Sequence, residues 1–453
     1  MAGSARLLTG QSLTARVARS GSWMVIGYGG SQALRLASNL VLTRILFPEA
    51  FGLMALVQVV LTGLVLFSDV GLGPSIAQNK RGDDPDFLDT AWTLQVIRGF
   101  CLWALTGLLA WPAAEFYGAP ELLWYLPVAG ASLAIAGFNP TRIETANRHL
   151  LVGRLTLLDL MAQLTGITSM VVLALATGSV SALVIGGVIQ AVAKLALTHW
   201  GLPGQRNRLH WERAAAQDLI HFGKWIFLST AFSFLTSQGD RAILGKFVPL
   251  DVLGIYNIGY FLAGFPMLLG LTVARRLMLP VYRDRPAAAS ASNRRRQRQL
   301  RSGLTAGSLS LLLLMALLGP WLVDLLYDDR YAPAGAMVVL TSLALAPAVI
   351  FMTYDQAALA AGDSRFFFLL SAVRALLQTG LFLAGVLWLG LPGGIAAFCL
   401  SMLAAYPLLI ALARKHQVWD PLHDLVAGLV WLAAGAAILL LHQDVLLAFA
   451  GGN

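Results

Sequence analysis

The chain has 453 residues, of which 57% are hydrophobic and only 12% are charged. Soluble domains carry about 25% charged residues, so this composition excludes an ordinary soluble protein. The net charge of +9 would suit a nucleic-acid-binding protein, but the basic residues follow a membrane topology, and no nucleic-acid partner is expected.

Apolar stretches of about 20 residues recur along the chain, and each can cross a hydrocarbon core of about 30 Å as a helix. The thirteen predicted spans are 22–42, 51–73, 90–111, 121–139, 155–176, 179–199, 222–244, 253–274, 304–323, 335–358, 366–388, 394–413 and 423–441. The sequence therefore predicts an all-α polytopic membrane protein.

The distribution of basic residues predicts which ends of the spans face the cytoplasm. If the N-terminus is cytoplasmic, the outer connections contain only Arg44, Lys246 and Arg330, and most of the 32 Lys and Arg residues fall in inner connections. This bias follows the positive-inside rule and predicts a cytoplasmic N-terminus. The longest inner connection, 283–301, is expected to touch anionic headgroups of membrane lipids.

Two similar turns, LTRILFPEAFGLM at 42–54 and FVPLDVLGIY at 247–256, indicate an internal repeat. A shift of 201 residues places Gln32, Arg35, Asn39 and Pro48 on Ser233, Thr236, Asp240 and Pro249. The pattern predicts two parallel six-helix repeats around a central cavity, a common transporter plan. The predicted segments are a cytoplasmic N-terminal segment (1–21), an N-lobe (22–200), a cytoplasmic inter-lobe linker (201–221), a C-lobe (222–413) and a C-terminal extra span and tail (414–453).

Polar residues inside predicted spans are the candidate site residues, because a charge at bilayer depth costs at least about 2.5–3.5 kcal/mol and tends to face a wet cavity or a partner. Gln32, Arg35, Asn39 and Thr43 fall within about 80° of one helix face. The predicted substrate-binding residues are Gln32, Arg35, Asn39, Arg98, Lys194, Ser233, Thr236, Arg241 and Arg374. Asp240 and Asp69 are the candidates for ion coupling. Asp69 could instead cap a span end, and Arg98 and Lys194 could be paired within the bundle.

Enzymatic and cofactor-binding motifs are missing from the sequence. It contains no GxxxxGK[ST], no HExxH and no complete GxGxxG. The seven histidines are scattered over loops and span ends, and Cys101 and Cys399 fall inside spans, so neither a metal site nor a disulfide is expected. We expect no cofactor and no catalytic residues, and a cationic cavity suited to an anionic or sugar-bearing substrate, since arginine matches phosphate oxygens.

Five stretches of the sequence carry a family resemblance: SNLVLTRILFPEAFGLMAL (38–56), SDVGLGPSIAQ (68–78), DTAWTLQ (89–95), ETANRHLLVGRLTLLDL (144–160) and QAALAAGDSRFFF (356–368). They resemble the bacterial polysaccharide flippases of the Wzx type, the polysaccharide-transporter branch of the multidrug/oligosaccharidyl-lipid/polysaccharide flippase superfamily. The resemblance implies two six-helix lobes in a V, with one or two further helices, in the bacterial inner membrane.

The resemblance also implies a function and partners. Alternating access would turn an oligosaccharide linked to undecaprenyl pyrophosphate from the inner to the outer leaflet for surface polysaccharide such as lipopolysaccharide or exopolysaccharide. An ion-coupled antiport mechanism, a monomeric state and contact with the polysaccharide polymerase machinery are expected. Arg35 lies where the family often has a basic residue, which suits a pyrophosphate.

Other functions stay open from the sequence. A lipid II flippase or a multidrug/cation antiporter would share the fold, although exported cations call for an acidic cavity, whereas arginine predominates here. A membrane glycan polymerase or ligase would need a sizeable outer loop, and the outer connections are short. A non-transporting assembly scaffold is the remaining alternative.

Overall fold

The structure, a computed structural model, describes residues 13–69 and 71–451, and these residues form helices without a β-strand. The first helices are α1 (Leu13–Ile45), α2 (Pro48–Phe67), α3 (Leu72–Gln78), α4 (Pro85–Tyr117), α5 (Leu122–Gly137), α6 (Arg142–Arg148), α7 (Val152–Thr177) and α8 (Ser181–Gly201). They are followed by α9 (Arg213–Phe247), α10 (Leu250–Asp284), α11 (Ala291–Leu326), α12 (Pro333–Phe351), α13 (Asp355–Ala360), α14 (Ser364–Lys415), α15 (Pro421–Leu441) and α16 (Gln443–Gly451). Residues 1–12 of the predicted N-terminal segment lie outside the described residues.

The chain forms two compact units, Met1–Ala231 and Phe232–Asn453, and the division falls inside α9. In the first unit α4 packs on α5, α7 on α8, α1 on α7 and α5 on α8. The second unit repeats these pairings with α11 on α12, α9 on α14 and α12 on α14. The predicted six-helix repeat is therefore present in the packing of each unit. Three features stay predictions: the V shape, the central cavity, and the residue bounds of the N-lobe, linker and C-lobe.

Within the described residues, nine helices are long and apolar enough to cross a membrane, or ten if the pair α5 and α6, bent by 62°, counts as one span. Each of the thirteen predicted spans overlaps a helix of the structure, and two of them lie in the single long α14. The prediction of an all-α polytopic membrane protein is confirmed. Helices α1 and α9, which carry the predicted polar stripes, are not among those nine, although both have more than 30 residues.

The two proline turns separate equivalent helix pairs. Pro48 is the first residue of α2, and Pro249 directly precedes α10, with Phe47 and Pro249 both in extended backbone conformation. Proline has no backbone N–H to donate and disfavours a helical residue before it, so it ends one helix and begins the next. The correspondence of the two turns, read from the sequence, is thus confirmed.

Helix α14 is a hairpin of two limbs that meet at Gly390, whose φ of 64° and ψ of −156° are not helical. The rings of Phe382 and Phe398 are 5.4 Å apart, whereas 16 residues of continuous helix would span about 24 Å. The limbs approach so closely that a Cβ on Gly393 would lie 2.4 Å from the carbonyl oxygen of Gly385. Glycine is required there because the neighbouring atom is rigid backbone.

Replacing Gly393 by alanine is expected to lower the free energy of unfolding by about 1–3 kcal/mol, because the added methyl group overpacks the hairpin. Gly380→Ala, in the first limb of the same helix, is the matched control: nothing lies within 4 Å of its added Cβ. A helical Gly→Ala change without a clash should raise stability by up to about 1 kcal/mol. Thermal unfolding of both variants in detergent measures the difference, and equal shifts would contradict the close approach.

Residues 202–212 lie along the first unit and are held there by side chains. Arg142, which is only 8% exposed, donates from Nε to the carbonyl of Gln205 (2.7 Å) and from Nη1 to those of His199 and Leu202. The amide of Asn207 donates to Asp89 Oδ1 (3.2 Å). The middle of the predicted linker is therefore tied to the first unit by hydrogen bonds.

Arg81 fastens the end of the same segment. Its guanidinium donates to both carboxylate oxygens of Glu212, at 2.8 and 2.7 Å, and to Asp84 at 2.8 Å. These hydrogen bonds hold the pKa of the Glu212 and Asp84 carboxyl groups below their ordinary values. The contribution of these contacts to stability is present at neutral pH and is lost as the pH falls through the lowered pKa values.

Helix α11 begins earlier than the sequence suggested. The run 283–301 was expected to be an inner connection, but α11 starts at Ala291, where the Ser290 hydroxyl accepts a hydrogen bond from the Asn293 N–H at 3.1 Å. Serine at this position satisfies a helix-terminal N–H, and arginine and glutamine are good helix formers. The basic run is thus an N-terminal extension of the ninth predicted span.

Candidate functional site

The polar face of α1 is the first group of predicted site residues. Gln32 donates from Nε2 to the Tyr28 hydroxyl at 3.2 Å, and Asn39 is half-buried. The Arg35 side chain is exposed on the same face. Thr43, at the end of the stripe, is buried and donates to the Asn39 carbonyl at 2.8 Å. Arg35, the charged residue of the stripe, is therefore also its exposed one.

Arg98 reaches from α4 to the end of α2. Its Nε donates to Ser68 Oγ at 2.9 Å and its Nη2 to the Val65 carbonyl at 2.8 Å. A cation at a helix C-terminus is favourable, because the last carbonyls carry partial negative charge. Asp69 follows directly and accepts from the Gly71 N–H at 2.8 Å. The structure therefore gives both residues a capping or turn contact, which was the alternative left open for Asp69.

Lys194 and Asp159 form an ion pair between α8 and α7, with Nζ and Oδ1 at 2.9 Å. Their side chains are 39% and 43% exposed. Of the two alternatives for Lys194, pairing within the bundle is the one that the structure shows. An ion pair this exposed stabilises a fold weakly, so the amino group stays accessible to an anion at small cost.

In the second unit, Ser233 and Thr236 are exposed on α9, and Asp240 is only 4% exposed. The Thr236 hydroxyl donates back to the Phe232 carbonyl at 2.8 Å. Asp240 Oδ2 accepts from the Tyr256 hydroxyl of α10 at 2.7 Å. The predicted stripe thus divides into an exposed hydroxyl end and a buried carboxylate.

Arg241 completes this buried cluster between α9 and α10. Its Nη1 lies 3.4 Å from Asp240 Oδ1, and its Nε donates to Asn257 Oδ1 at 2.9 Å. The guanidinium also lies over the Tyr260 ring, 4.8 Å from the centroid. The sequence reasoning missed Tyr256, Asn257 and Tyr260. They could have been found from the tight turn at Val248, which makes α9 and α10 antiparallel neighbours. Residues equally far from such a turn along the two helices face each other, as Asp240 and Tyr256 do.

Arg374 lies on α14 and binds Asp355 of the short helix α13, with Nη1 and Oδ2 at 2.6 Å. Both side chains are less than 20% exposed. Gln378, one turn further along, donates to the Thr236 carbonyl of α9 at 3.1 Å. Arg374 therefore ties two elements of the second unit together, and a substrate contact for it stays a prediction.

A second buried polar cluster surrounds Arg301, which is 1% exposed. Arg301 donates to Thr353 Oγ1 (3.1 Å) and the Tyr282 hydroxyl (2.9 Å), and it lies 4.3 Å from the centroid of the Tyr354 ring. The hydroxyls of Tyr354 and Tyr406 both donate to Asp424 at 2.8 Å. The sequence reasoning missed this cluster. Its signal was the acidic segment 420–424 at the start of the last predicted span.

The predicted site residues therefore do not form one cluster within either unit. Arg35, Ser233 and Thr236 are exposed on their helices. Lys194, Arg241 and Arg374 form ion pairs inside their own unit. Among residues 13–69 and 71–451, no group of three or more His, Cys, Asp or Glu residues could hold a metal ion. The chemistry that these side chains offer is anion binding and hydrogen bonding.

Comparison with known proteins places the chain beside proteins of polysaccharide biosynthesis. The model of a family described as polysaccharide biosynthesis protein matches residues 41–336, more than half of the chain. The chain is 22% identical over 272 residues to the lipopolysaccharide biosynthesis protein WzxC of Escherichia coli (strain K12), covering 60% of this chain and 55% of WzxC. The chain thus spans about half the length of WzxC.

A longer alignment relates the chain to the succinoglycan biosynthesis transport protein ExoT of Rhizobium meliloti (strain 1021), with 21% identity over 375 residues, 80% of this chain and 73% of ExoT. Among solved structures, the inward closed conformation of the lipid II flippase MurJ superposes with a TM-score of 0.68 and 10% identity. That likeness covers 93% of this chain and 98% of MurJ and shows a shared fold.

Proposed function

This chain belongs to the polysaccharide biosynthesis protein family, and we propose that it moves an oligosaccharide linked to undecaprenyl pyrophosphate from the inner to the outer leaflet of the bacterial cytoplasmic membrane. The resemblance to Wzx-type flippases is confirmed, and the chain is a multi-pass membrane transporter of polysaccharide biosynthesis. The family match over residues 41–336 is the observation that carries the proposal.

The exposed polar groups of α1 and α9 support the choice of substrate. Arg35 offers a guanidinium that keeps its charge at any physiological pH and matches the oxygens of a pyrophosphate. Ser233 and Thr236 are exposed hydroxyl residues at the repeat-related positions, and hydroxyls suit hydrogen bonding to sugars. In this proposal α1 holds the charged carrier and α9 faces the oligosaccharide, with Gln32 and Asn39 extending the polar face.

We also propose a topology and an energy source. The N-terminus is proposed to be cytoplasmic, which the excess of Lys and Arg in the predicted inner connections supports. Transport by alternating access would be driven by an ion gradient, with Asp240 as the candidate coupling group. The protein acts as a monomer without covalent catalysis and passes its cargo to the polymerase machinery.

A lipid II flippase is the second candidate, because the chain shares its fold with the lipid II flippase MurJ (TM-score 0.68) and a shared fold does not choose between the two substrates. Both candidate substrates present a pyrophosphate to the protein, so the cationic face does not separate them. Complementation does: rescue of a strain depleted of its lipid II flippase would favour lipid II, and rescue of a polysaccharide-flippase deletion would favour the first candidate.

Deletion of the gene tests the proposal in cells. The deletion strain is expected to lose surface polysaccharide and to accumulate the lipid-linked precursor in the inner leaflet, because the polymerase then receives no substrate. Normal surface polysaccharide in a strain without a redundant flippase would contradict the proposal.

Replacing Arg35 by alanine is expected to lower the transport rate at limiting substrate by about 10–100-fold, because a hydrogen-bonded contact to a charged group contributes about 1.5–3 kcal/mol. Transport is measured as surface polysaccharide restored to the deletion strain, at matched amounts of protein in the membrane. Arg44→Ala is the matched control, since Arg44 is an exposed arginine at the end of the same helix. Equal transport by both variants would exclude Arg35 from the substrate path.

A further inference from the structure

A basic cavity lies where the start of α11, the end of α14 and the start of α15 come together in the second unit. Its volume is about 240 Å³, and its lining residues are Arg294, Arg298, Arg414, Gln417 and Trp419. A space of that size can hold a single phosphate group.

The cavity carries an excess of positive charge. Arg298 Nε lies 3.1 Å from Asp420 Oδ2, whereas Arg294 and Arg414 form no ion pair within the described residues. Arg294 and Arg298 are four residues apart on α11, so their like charges face the same side of the helix and repel each other. A bound anion would relieve this repulsion and would balance the two guanidinium groups that Asp420 leaves uncompensated.

The turn after α14 and the ring of Trp419 hold the guanidinium of Arg414 at the cavity. Gln417 follows the end of α14 with a φ of 55°, a left-handed conformation that is uncommon for a residue with a Cβ. The Val418 N–H then donates to the Ala413 carbonyl at 2.8 Å, which closes the turn and directs Trp419 back onto Arg414. The guanidinium lies 4.1 Å from the centroid of a Trp419 ring. Stacking covers one face of the guanidinium and leaves its N–H edge available to an oxygen anion.

The helix that starts beside the cavity presents an apolar face to the membrane. On α15, Leu422, Leu425, Val426 and Leu429 are each more than 50% exposed and lie within about 100° of one another. The opposite face carries Asp424, Gly435 and Ile438, which are buried in the second unit. Side chains this apolar and exposed on a membrane helix contact lipid tails. A ligand with a phosphate in the cavity and hydrocarbon along α15 would match both surfaces.

We propose that Arg294, Arg298, Arg414, Gln417 and Trp419 form a site for the phosphate headgroup of an anionic phospholipid, whose acyl chains lie along the exposed face of α15. Basic pockets at the cytoplasmic ends of membrane helices are suited to such headgroups, and tryptophan is enriched at the same depth. None of these residues belongs to α1 or α9, and the site does not depend on the transported substrate. Its bound lipid fixes the last predicted span against α11 and α14.

Lipid binding to the full-length protein in detergent tests the proposal. The probes are short-chain phosphatidylglycerol and phosphatidylcholine with identical acyl chains. The wild-type protein is expected to bind phosphatidylglycerol at least tenfold more tightly. The double variant Arg294→Gln/Arg414→Gln should lose this preference, while Arg298 and its ion pair with Asp420 stay in place. Absence of a preference in the wild-type protein would overturn the proposal.

A matched control separates the cavity from the general charge of α11. Arg295→Gln/Arg296→Gln removes the same charge from two exposed arginines that do not line the cavity. This variant is expected to keep the wild-type preference, and an equal loss in both double variants would overturn the proposal.

Inorganic phosphate distinguishes a lipid site from a simple phosphate site. Inorganic phosphate is added at the same concentration as the phosphatidylglycerol that saturates the protein. It should displace less than a tenth of the lipid, because it has no acyl chains to contact the apolar face of α15. Displacement of most of the lipid at equal concentration would assign the cavity to free phosphate instead.

Discussion

Replacing Arg301 by alanine is expected to lower the free energy of unfolding by about 3–5 kcal/mol, because it leaves buried polar partners unsatisfied and a cavity in the packed interior. The guanidinium is 1% exposed and is held by the Tyr282 hydroxyl, Thr353 Oγ1 and the face of the Tyr354 ring. Its loss would leave a cavity and two buried hydroxyls without this partner, and each buried polar group left unsatisfied costs about 1–3 kcal/mol.

The control for this prediction is Arg295→Ala on the same helix. Arg295 is exposed, and surface substitutions away from buried networks change stability by about 0.5 kcal/mol or less. Thermal unfolding of the purified variants in one detergent gives the comparison. Melting of Arg301→Ala at the temperature of Arg295→Ala would contradict the buried network.

Replacing Asp240 by alanine is the second change with a large expected effect, again about 3–5 kcal/mol, because it leaves the Arg241 charge buried without its counter-ion. The two side chains are 3% and 14% exposed, and the carboxylate also accepts from the Tyr256 hydroxyl. Thermal unfolding measures this loss as well. Asp251→Asn is the control, since this acid in the first turn of α10 interacts with the helix dipole and contributes about 0.3–1 kcal/mol. An equal loss from both changes would contradict the buried pair.

The variant Asp240→Asn separates stability from ion coupling. Asparagine also removes the counter-ion of Arg241, but its amide oxygen can still accept from Tyr256, so this variant should lose less stability than Asp240→Ala. Its transport is compared with the wild type at matched amounts of protein in the membrane. If Asp240 couples transport to an ion, Asp240→Asn is expected to restore some surface polysaccharide but to lose the response to a collapsed ion gradient. An unchanged response would leave Asp240 with a structural role only.

The membrane helices and their turns could be predicted from the sequence, because each depends on a local property. An apolar run of about 20 residues specifies a span regardless of its neighbours. Pro48 and Pro249 end helices because they lack an N–H. The turn at Gly390 was visible as the Leu-Pro-Gly segment that follows it. The repeat was detectable because its polar stripes and its proline turns share one spacing.

The partners of the polar residues could not be predicted, because they depend on how the helices pack. Tyr256 and Tyr354 read as apolar in a hydropathy pattern, yet each donates a hydrogen bond to a buried carboxylate. Arg301 was counted with an inner basic run, and its burial follows from the N-terminal extension of α11. Cavity lining by Arg98, Lys194 and Arg374 stays a prediction, and all three have contacts within their units.

The most direct test of the account is translocation by the purified protein in vesicles that contain a labelled oligosaccharide on undecaprenyl pyrophosphate. A membrane-impermeant glycosidase added outside cleaves only the oligosaccharide exposed on the outer leaflet. We expect the wild-type protein to make the inner-leaflet pool accessible to the enzyme, and Arg35→Ala to slow this strongly. Cleavage that stops at the outer-leaflet fraction, as in vesicles without protein, would contradict the proposed flippase activity.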